Sequence, residues 1–488
     1  FNDWSVNVNL GVSLSDSRYE MIGYEGGLKL INFFAVHNID FNKAWKAKQS
    51  GWHDQTRAIF ANAEIGWKSM IYLTATGRND WDSRLAFSDY KSFFYPSIGL
   101  SAILTSMFNA PDWLTYLKVR GSYTEVGNSY GRFMTTVTYP YDEQTQSWTS
   151  TSSYPNTKLK PERTKSWEVG LDARILNDIS LNLTYYRSNT YNQTFYADLS
   201  LSSGYSNIPI QSGNIMNEGL EMSLGYNKQW KDFSFNTNYT LTWNKNRVKR
   251  LADGVYNYAT GQPIQMPELS PLTYGHTDAR LILRVGGSMG DVYGQRLLKR
   301  DLNGYILNEE GVGLAMENKE TYLGSILPKM NMGWSLGFGY KGVNLGMTFT
   351  GRFGGIVISE TQSVLDAAGV SKVSADVRDA GGVQINQSKV SAQTYYQTIQ
   401  GTAAYYTYSA TNVRLGELSL SYTLPKKWFD NKVGMTVGLV GKNLWMIYCK
   451  APFDPELTTS AASNFYQGFD AYMLPSTRNF GFNVKFQF

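Results

Sequence analysis

The sequence predicts an all-β protein, a transmembrane antiparallel β-barrel. Segments of about ten residues in which apolar and polar side chains alternate recur along the chain, and this length lets a tilted strand cross a bilayer. The polar phase of these segments consists mostly of Gly, Ser, Thr and Asn. The connections between the segments alternate between short and long. Because successive side chains of a strand point to opposite faces, each segment has one apolar and one polar face.

The alternating segments begin near the N-terminus and continue to the last residue. They cover residues 4–14, 179–185, 233–243, 330–340, 343–350 and 479–488. Residues 280–284 and 292–298 are interpreted as a further pair of strands, with a turn between Gly286 and Gly290. We count about 16 strands, an even number as single-chain bacterial barrels require.

The composition separates this barrel from a large soluble β-sandwich or propeller, whose strands alternate too. Only 17% of the residues are charged, whereas the chain has 34 Tyr, 24 Phe, 13 Trp and 45 Gly. A soluble sheet usually carries Lys, Glu and Asp on its wet face, and the Tyr and Trp at strand ends here are typical of an aromatic girdle. The net charge of +5 gives no reason to expect nucleic acid. Cys449 is the only cysteine, so no disulfide framework exists.

The connections predict the orientation of the barrel. Short turns are expected at 68–69, 177–178, 228–232, 341–342 and 425–431, and the main long loops at 15–55, 127–163, 189–213, 246–278, 354–408 and 450–475. Outer-membrane barrels have short periplasmic turns and long extracellular loops. The first strand is therefore expected to run outward, and the last strand to run inward.

Three regions of the sequence resemble one transporter family. Residues 159–171 (LKPERTKSWEVGL) resemble the start of a barrel strand in TonB-dependent transporters. Residues 412–425 (NVRLGELSLSYTLP), followed by 440–445 and 453–457, resemble the C-terminal hairpin region of the SusC/RagA branch. Residues 285–294 (VGGSMGDVYG) are similar to a glycine-rich segment of the same branch, with Gln295 where the family usually has Tyr.

The resemblance implies a barrel of 22 strands with an N-terminal plug, a known architecture. Residues 1–488 are then expected to form the C-terminal portion of such a barrel, the last 16 of 22 strands, without the plug. The remaining strands and the plug are expected in the same particle, because each unpaired backbone group at an open sheet edge costs several kcal/mol in lipid. The resemblance also assigns an outer-membrane insertion signal to four terminal aromatic residues: Phe480, Phe482, Phe486 and Phe488.

The same resemblance implies a function and partners. It implies TonB-dependent active import of a bulky nutrient across the bacterial outer membrane. An oligosaccharide is favoured by the Trp and Tyr residues of the loops, and an oligopeptide is the alternative. The implied partners are a SusD-like surface lipoprotein that acts as a lid, TonB through a plug region outside this chain, a second such pair in a dimer of heterodimers, and the surrounding lipid and lipopolysaccharide.

A substrate site in the outer vestibule requires aromatic platforms and hydrogen-bonding side chains. The candidates are Asp80, Trp81, Arg84, Trp148, Tyr154, Tyr256, Tyr258, Tyr466 and Asp470. The alternative is that each of them packs a loop or contacts the lid, since exposed aromatic residues are also common at interfaces.

No pattern of catalytic residues supports an enzyme. The three histidines, His37, His53 and His276, do not have the spacing of a zinc motif, and no metal or cofactor is expected. Residues 301–310 faintly resemble a calcium loop but lack its full spacing, and Asn303-Gly304 is better explained as a hairpin turn.

Two other classes of function remain open at this point. One is a passive porin of 16 strands formed by this chain alone, which would enclose an aqueous channel. That porin requires residues 4–14 to be hydrogen-bonded to residues 479–488. The other is a structural or adhesive barrel whose loops bind another protein.

Overall fold

A single antiparallel sheet of fourteen strands dominates the computed structural model. The structure describes residues 3–142, 147–211, 213–251, 255–256, 260–264, 267–304, 306–309, 313–385, 388–457, 459 and 464–488. We call the large sheet the wall. Its strands are β1 (Trp4–Gly26), β2 (Trp45–Trp67), β3 (Ile71–Asp82), β4 (Phe93–Ile103), β5 (Leu114–Asn128), β6 (Glu162–Ile175), β7 (Ile179–Tyr191), β8 (Asn214–Trp230), β9 (Phe233–Arg250), β10 (Met330–Tyr340), β11 (Val343–Phe353), β12 (Asn412–Thr423), β13 (Gly434–Cys449) and β14 (Asn479–Gln487). Each strand pairs with its neighbours in chain order, so the wall is an up-and-down meander.

The connections between wall strands carry shorter elements. The α-helices are α1 (Leu104–Met107), α2 (Glu360–Ala367), α3 (Lys372–Asp379) and α4 (Ala392–Ile399). Short 3-10 helices lie at Val36–Asn38, Ser83–Leu85, Leu201–Ser203, Ala403–Tyr405, Lys426–Phe429 and Asn464–Gly468. The further strands are Tyr141–Asp142, Ser147–Trp148, Thr194–Asp198, Asn207–Gln211, Val255–Tyr256, Pro263–Ile264, Glu268–Thr273, Arg280–Arg284, Asp291–Leu298, Asn308–Glu309, Gly313–Leu314, Met316–Ser325, Ile356–Ser359, Val383–Ile385, Ser388–Val390, Thr407–Ser409 and Phe469–Asp470. None of the helices among the described residues is long and apolar enough to cross a membrane.

The register of the wall gives it two chemically different faces. On the first face, Leu10 lies opposite Ala61, and Ala61 lies opposite Gly77. On the second face, Asn9 lies opposite Asn62. Residues that are opposite each other in a sheet share a face. The apolar side chains of neighbouring strands therefore lie on the same face of the wall, and their polar side chains lie on the other. The all-β fold with an apolar face and a polar face is confirmed.

Among the described residues the wall has fourteen strands, two fewer than the expected number of about 16. The segments Arg280–Arg284 and Asp291–Leu298 lie outside the wall, in a four-stranded sheet with Glu268–Thr273 and Met316–Ser325. The sequence of the first segment explains the error. Its three successive residues Leu281, Ile282 and Leu283 are 0%, 3% and 0% exposed, whereas a wall strand would bury no such run. A strand covered on both faces belongs in a packed domain.

The first hairpin is longer than the sequence predicted. β1 and β2 stay paired from Trp4 opposite Trp67 to Gly26 opposite Trp45, so their connection covers residues 27–44 and not 15–55. The other long connections cover 129–161, 192–213, 251–329, 354–411 and 450–478. At the opposite end, connections such as 68–70, 176–178, 231–232 and 341–342 are short.

Most of the hydrophobic core lies in the long connections, because the wall encloses no apolar interior. The connections 251–329, 354–411 and 450–478 share one core, in which Tyr274, Ile358 and Phe469 are at most 3% exposed. We call these three connections the loop module. A second cluster joins two of them and contains Leu298 and Tyr406. The module therefore forms a folded layer over one end of the wall.

The wall is open in this structure. Within the described residues, β1 is paired only with β2, and β14 only with β13. The passive porin required a direct pairing between β1 and β14, and the described residues do not contain it.

Candidate functional site

The polar face of the wall carries a series of charged side chains that the register brings together. They include Glu64, Arg78, Asp80, Asp82, Lys118, Arg120, Glu168, Asp172, Glu221, Arg352, Arg414, Glu417, Lys442 and Lys485. Arg120 Nη1 donates to Asp172 Oδ2 at 2.7 Å, and its Nη2 donates to Thr184 Oγ1 at 2.7 Å. One guanidinium thus connects β5, β6 and β7. Such groups can hydrogen-bond a polar solute or a protein segment inside a barrel.

At the long-loop end of β3, three candidate residues lie close together in sequence but do not form one site. Asp80 is 7% exposed, and its carboxylate accepts from Arg78 Nε at 2.6 Å and from the Tyr95 hydroxyl at 3.0 Å. Arg84 is paired instead with Asp82, from Nη2 to Oδ2 at 2.6 Å. The hydrogen bond from this guanidinium to Asp82 raises the pKa of Arg84.

Trp81 lies on the opposite face of the wall from Asp80. It is 40% exposed, and with Leu10, Ile59 and Phe94 it lines a recess on the apolar face. Neighbouring residues of a strand point to opposite faces, so one ligand cannot contact Asp80 and Trp81 from the same side. The structure therefore does not bring Trp81 together with Asp80 and Arg84, and the role of each in substrate binding stays a prediction.

The candidate aromatic residues of two other loops differ in exposure. Trp148 is 71% exposed, and its ring stacks edge-on against Tyr141 with centroids 5.1 Å apart. Tyr154 packs instead against a small core that contains Ile208 and Ile210. Tyr256 is 52% exposed in a two-stranded turn. Tyr258 lies outside the described residues.

Tyr466 and Asp470 belong to the interior of the loop module. The ring of Tyr466 lies edge-on to Tyr274 at 6.2 Å, against the shared core. Asp470 is 3% exposed, and its carboxylate accepts from the Ser359 hydroxyl at 2.6 Å. The same hydroxyl caps α2 by accepting from the backbone N–H of Gln362 at 2.9 Å. The carboxylate of Asp470 thus stabilises the module internally.

A buried ion pair anchors the loop module to the wall, and the sequence analysis did not find it. Arg414 of β12 donates to both carboxylate oxygens of Asp454, at 2.9 and 2.8 Å, and it donates to Asn412 as well. The side chains of Arg414 and Asp454 are 10% and 8% exposed. Burial opposes ionisation of Asp454, but the hydrogen bonds from Arg414 and the Glu456 backbone lower its pKa below the ordinary value.

A second pair that sequence reasoning missed joins the first hairpin to the connection 129–161. The guanidinium of Arg132 lies 3.7 Å from the centre of the Trp52 ring. Its Nε donates to Asp54 Oδ2 at 2.6 Å. The polar phase of β3 could have revealed Arg78 and Asp82, because both alternate in register with Asp80. No local signal marks pairs such as Arg414 with Asp454, since their residues are far apart in the chain.

No group of three or more His, Cys, Asp or Glu side chains suited to a metal is found in the part of the chain that the structure describes. Around Asn303 the chain makes a tight turn, in which the backbone N–H of Gly304 donates to the Asp301 carbonyl at 3.0 Å. The full 301–310 segment includes residues outside the described ones.

The four aromatic residues of the expected insertion signal lie on or beside β14. Phe480, Phe482, Phe486 and Phe488 are 78%, 80%, 54% and 96% exposed. The first three lie on the apolar face opposite Gly441, Leu439 and Met435. Their role in insertion stays a prediction.

Comparisons with known proteins place this architecture. The profile of the family described as TonB dependent receptor-like, beta-barrel matches residues 2–444. TonB-dependent receptor P3 of Formosa agariphila is 24% identical over 96% of this chain and 50% of its own length. SusC of Bacteroides thetaiotaomicron, a TonB-dependent receptor, is 25% identical over 49% of this chain and 22% of its own length.

The solved structure of the RagAB peptide importer in its open-open state matches this fold with a TM-score of 0.74 at 19% identity. The match covers 100% of this chain and 52% of the importer chain. This chain spans about half the length of the curated relatives it matches.

Proposed function

Because the chain belongs to the TonB-dependent receptor-like β-barrel family and is of the SusC/RagA type, we propose that it serves the active import of a bulky nutrient across the outer membrane. The chain is an outer-membrane protein, and the long connections lie on the extracellular side. Within the importer it provides fourteen wall strands and the loop module. Energy would come from TonB through the plug region of the full-length transporter.

The proposal rests on the presence of two features in one chain: the charged polar face of the wall and the folded extracellular layer formed by the loop module. A passive pore needs only a wet lumen, whereas the loop module holds its own buried core and an anchor between Arg414 and Asp454. Binding residues lie disproportionately on loops that a rigid scaffold positions. We propose that a SusD-like surface lipoprotein binds the loop module and acts as a lid. We also propose that two of these transporter–lipoprotein pairs assemble as a dimer.

For the substrate we propose an oligosaccharide. Sugar rings bind flat aromatic faces, and the hairpin of Tyr141 and Trp148 presents such a surface, with Trp148 71% exposed. Tyr256 offers a second exposed ring. An oligopeptide is the alternative, and it is favoured by the charged side chains of the polar face, such as Glu168 and Glu221, which a peptide could contact.

The test uses the native full-length transporter, purified from outer membranes together with whatever lipoprotein copurifies. Calorimetry with a panel of oligosaccharides and a matched panel of oligopeptides would measure affinity directly. We expect one oligosaccharide class to bind and to be taken up by cells in a manner that requires TonB. Binding of oligopeptides alone would replace the proposed substrate with the alternative.

A deletion strain separates import from adhesion. Loss of uptake of one defined nutrient, restored by the intact gene, is the expected outcome. If uptake of every tested nutrient is unchanged while attachment to another protein is lost, the import proposal is overturned in favour of an adhesive barrel.

A further inference from the structure

The connection between β1 and β2 carries an exposed apolar surface. Five of its side chains are 48–87% exposed, and we call them the apolar tip: Leu30, Ile31, Phe33, Phe34 and Val36. Exposed apolar residues are normal on a protein surface when they are scattered singly, whereas a contiguous patch marks an interaction site. The five lie within one short stretch of the chain, so the apolar tip is a patch of the second kind.

The apolar tip lies too far from the bilayer for lipid to cover it. The apolar phase of β1 ends at Leu14, and the charged Asp16 follows in the same phase. Residues 15–26 of β1, at about 3.3 Å each and with a tilt of about 40°, rise about 30 Å above the apolar band of the barrel. The apolar tip follows the end of β1 and is therefore well outside the membrane.

The backbone beneath the apolar tip is held in place by one buried amide. Asn38 is 4% exposed. Its side chain accepts from the Leu30 backbone N–H at 3.0 Å and donates to the Leu30 and Phe33 carbonyls at 2.8 and 2.7 Å. The Lys29 backbone N–H donates to the Asn38 carbonyl at 2.8 Å. A surface that is ordered before binding loses less conformational entropy when a partner covers it.

On the side of β2 this hairpin already has a neighbour. The connection 129–161 packs there, with Arg132 over the Trp52 ring, and it borders a recess of about 490 Å³ that Lys46 and Tyr141 line. The apolar tip is exposed all the same. On the other side β1 is the edge strand of the wall, and among the described residues it pairs with β2 alone. The unfilled position is therefore the one next to β1.

The connections of this chain bury apolar residues against one another. Tyr274, Ile358 and Phe469 come from three different connections and share one core. The curated relatives are about twice as long as this chain, and in the proposed importer the additional strands bring further connections beside β1. A segment of the same polypeptide has a higher effective concentration than a separate protein, which favours it as the partner of the apolar tip.

We propose that the apolar tip packs against an extracellular connection from the part of the full-length transporter outside this chain. The two surfaces then form a core that is shared across the β1 edge. This inference rests on the proposed function, in which the chain provides part of a longer barrel. A separate lipoprotein and a second copy of the transporter are the competing partners.

The experiment measures how accessible the apolar tip is in the full-length transporter by maleimide labelling. Ile31→Cys and Phe34→Cys are made in a cysteine-free background. The matched control is Leu302→Cys, which lies in another connection and is 105% exposed. Each variant is purified once with its lipoprotein and once from cells that lack the lipoprotein. Retention of the compact band in unheated gels verifies that each variant folds.

Without the lipoprotein, we expect Ile31→Cys and Phe34→Cys to be labelled about tenfold more slowly than Leu302→Cys, because labelling at the tip then requires local opening. Denaturation should make the three rates equal. Equal rates in the folded transporter overturn the proposal. Slow labelling that requires the lipoprotein also overturns it and identifies that protein as the partner. Slow labelling that is restricted to dimeric fractions overturns it in favour of a second copy.

A second measurement does not depend on cysteine chemistry. Phe34→Asp should raise hydrogen exchange about tenfold in one extracellular connection outside this chain, and Leu302→Asp should leave that connection unchanged. An increase confined to residues 27–44 would show that the apolar tip has no such partner. Neither measurement involves uptake, so a failure of the tip packing and a failure of the proposed import are distinguishable.

Discussion

Arg120 and Asp172 form an ion pair across β5 and β6, with Arg120 Nη1 2.7 Å from Asp172 Oδ2. The same guanidinium reaches Thr184 on β7, so this one side chain links three strands. Half-buried groups of this kind contribute more than exposed pairs, because water competes less with their hydrogen bonds.

Arg120→Gln is expected to lower the free energy of unfolding by about 1–3 kcal/mol, since Asp172 and Thr184 lose a charged donor. Urea titration of the refolded protein, followed by tryptophan fluorescence, measures the change. Arg120→Lys should recover part of the loss by keeping the charge. An unchanged midpoint for Arg120→Gln would show that the link contributes nothing.

Gly170 leaves space for the side chain of Arg120. A Cβ at Gly170 would lie 2.6 Å from Arg120 Nε, so Gly170→Ala is expected to displace the guanidinium. The cost should be about 1–3 kcal/mol in the wild type and close to zero in an Arg120→Ala background, because the obstructing side chain is then absent. A double-mutant cycle by urea titration measures this coupling. Equal costs in both backgrounds would place the effect in the backbone of β6 instead.

The anchor between Arg414 and Asp454 should make the loop module sensitive to acid. The pKa of Asp454 is lower in the folded protein than in the unfolded chain, where it is about 3.9. The ionised form is therefore the stabilising one. Its contribution is complete above this pH and is lost as the pH falls through it and below.

The protection of residues 450–457 against hydrogen exchange, corrected for the intrinsic pH dependence of amide exchange, should accordingly fall at low pH. Asp454→Asn should exchange fast already at neutral pH, by tenfold or more, because Arg414 then lacks its main buried partner. Lys372→Gln, at an exposed pair on α3, is the control and should leave this segment unchanged. If acidification changes the exchange protection of Asp454→Asn as much as that of the wild type, a group other than Asp454 causes the change.

Tyr274 ties two connections of the loop module, since its hydroxyl donates to the Phe465 carbonyl at 2.7 Å while its side chain is fully buried. Tyr274→Phe is expected to cost about 1 kcal/mol and to raise exchange in residues 464–470 about fivefold. Tyr256→Phe, at a half-exposed position, is the matched control. If exchange increases only in the connection 251–329, the hydrogen bond of Tyr274 does not hold the two connections together.

Trp148 is the exposed ring on which the proposed substrate class depends. Trp148→Ala is expected to weaken oligosaccharide binding by about tenfold, as loss of an aromatic anchor does, without changing thermal stability. Isothermal calorimetry with the oligosaccharide that the wild type binds measures it. Tyr154→Ala should instead reduce stability, because that ring is packed. Unchanged affinity in Trp148→Ala would remove this hairpin from the site.

Alternation alone predicted the faces of the wall, because lipid and water impose a period of two on every spanning strand. Residues 233–243 and 330–340 are strands with the predicted apolar phase. The same parity places Asp80 and Trp81 on opposite faces, and the sequence grouping of the two overlooked it. The run of Leu281, Ile282 and Leu283 was a visible sign of a packed sheet, although its length matched that of a short wall strand.

The partners of the loop residues were beyond the reach of the sequence. Asp470 and Tyr466 are residue types that often contact ligands. Here Asp470 is buried and Tyr466 is partly buried against segments more than a hundred residues away, such as the helix cap at Ser359. Which carboxylate meets Arg414 depends on how the connection 450–478 folds back over β12. Packing between distant connections decides these cases, and residue type does not.

The shared core of the loop module also has a mechanical consequence. It draws on the tops of three hairpins, β9–β10, β11–β12 and β13–β14, through residues such as Tyr274, Ile358 and Phe469. In the wall each of these strands contacts only its immediate neighbours. Any pair of neighbouring strands could therefore separate within the plane of the sheet. Above the membrane this core connects six strands. Separating two neighbouring strands there would expose hydrophobic core residues to water. Among the described residues, the buried members of this core all lie beyond β8, and only Phe195 of the β7–β8 connection packs at its edge. Sideways strain on the wall is therefore expected to be relieved first between β1 and β8.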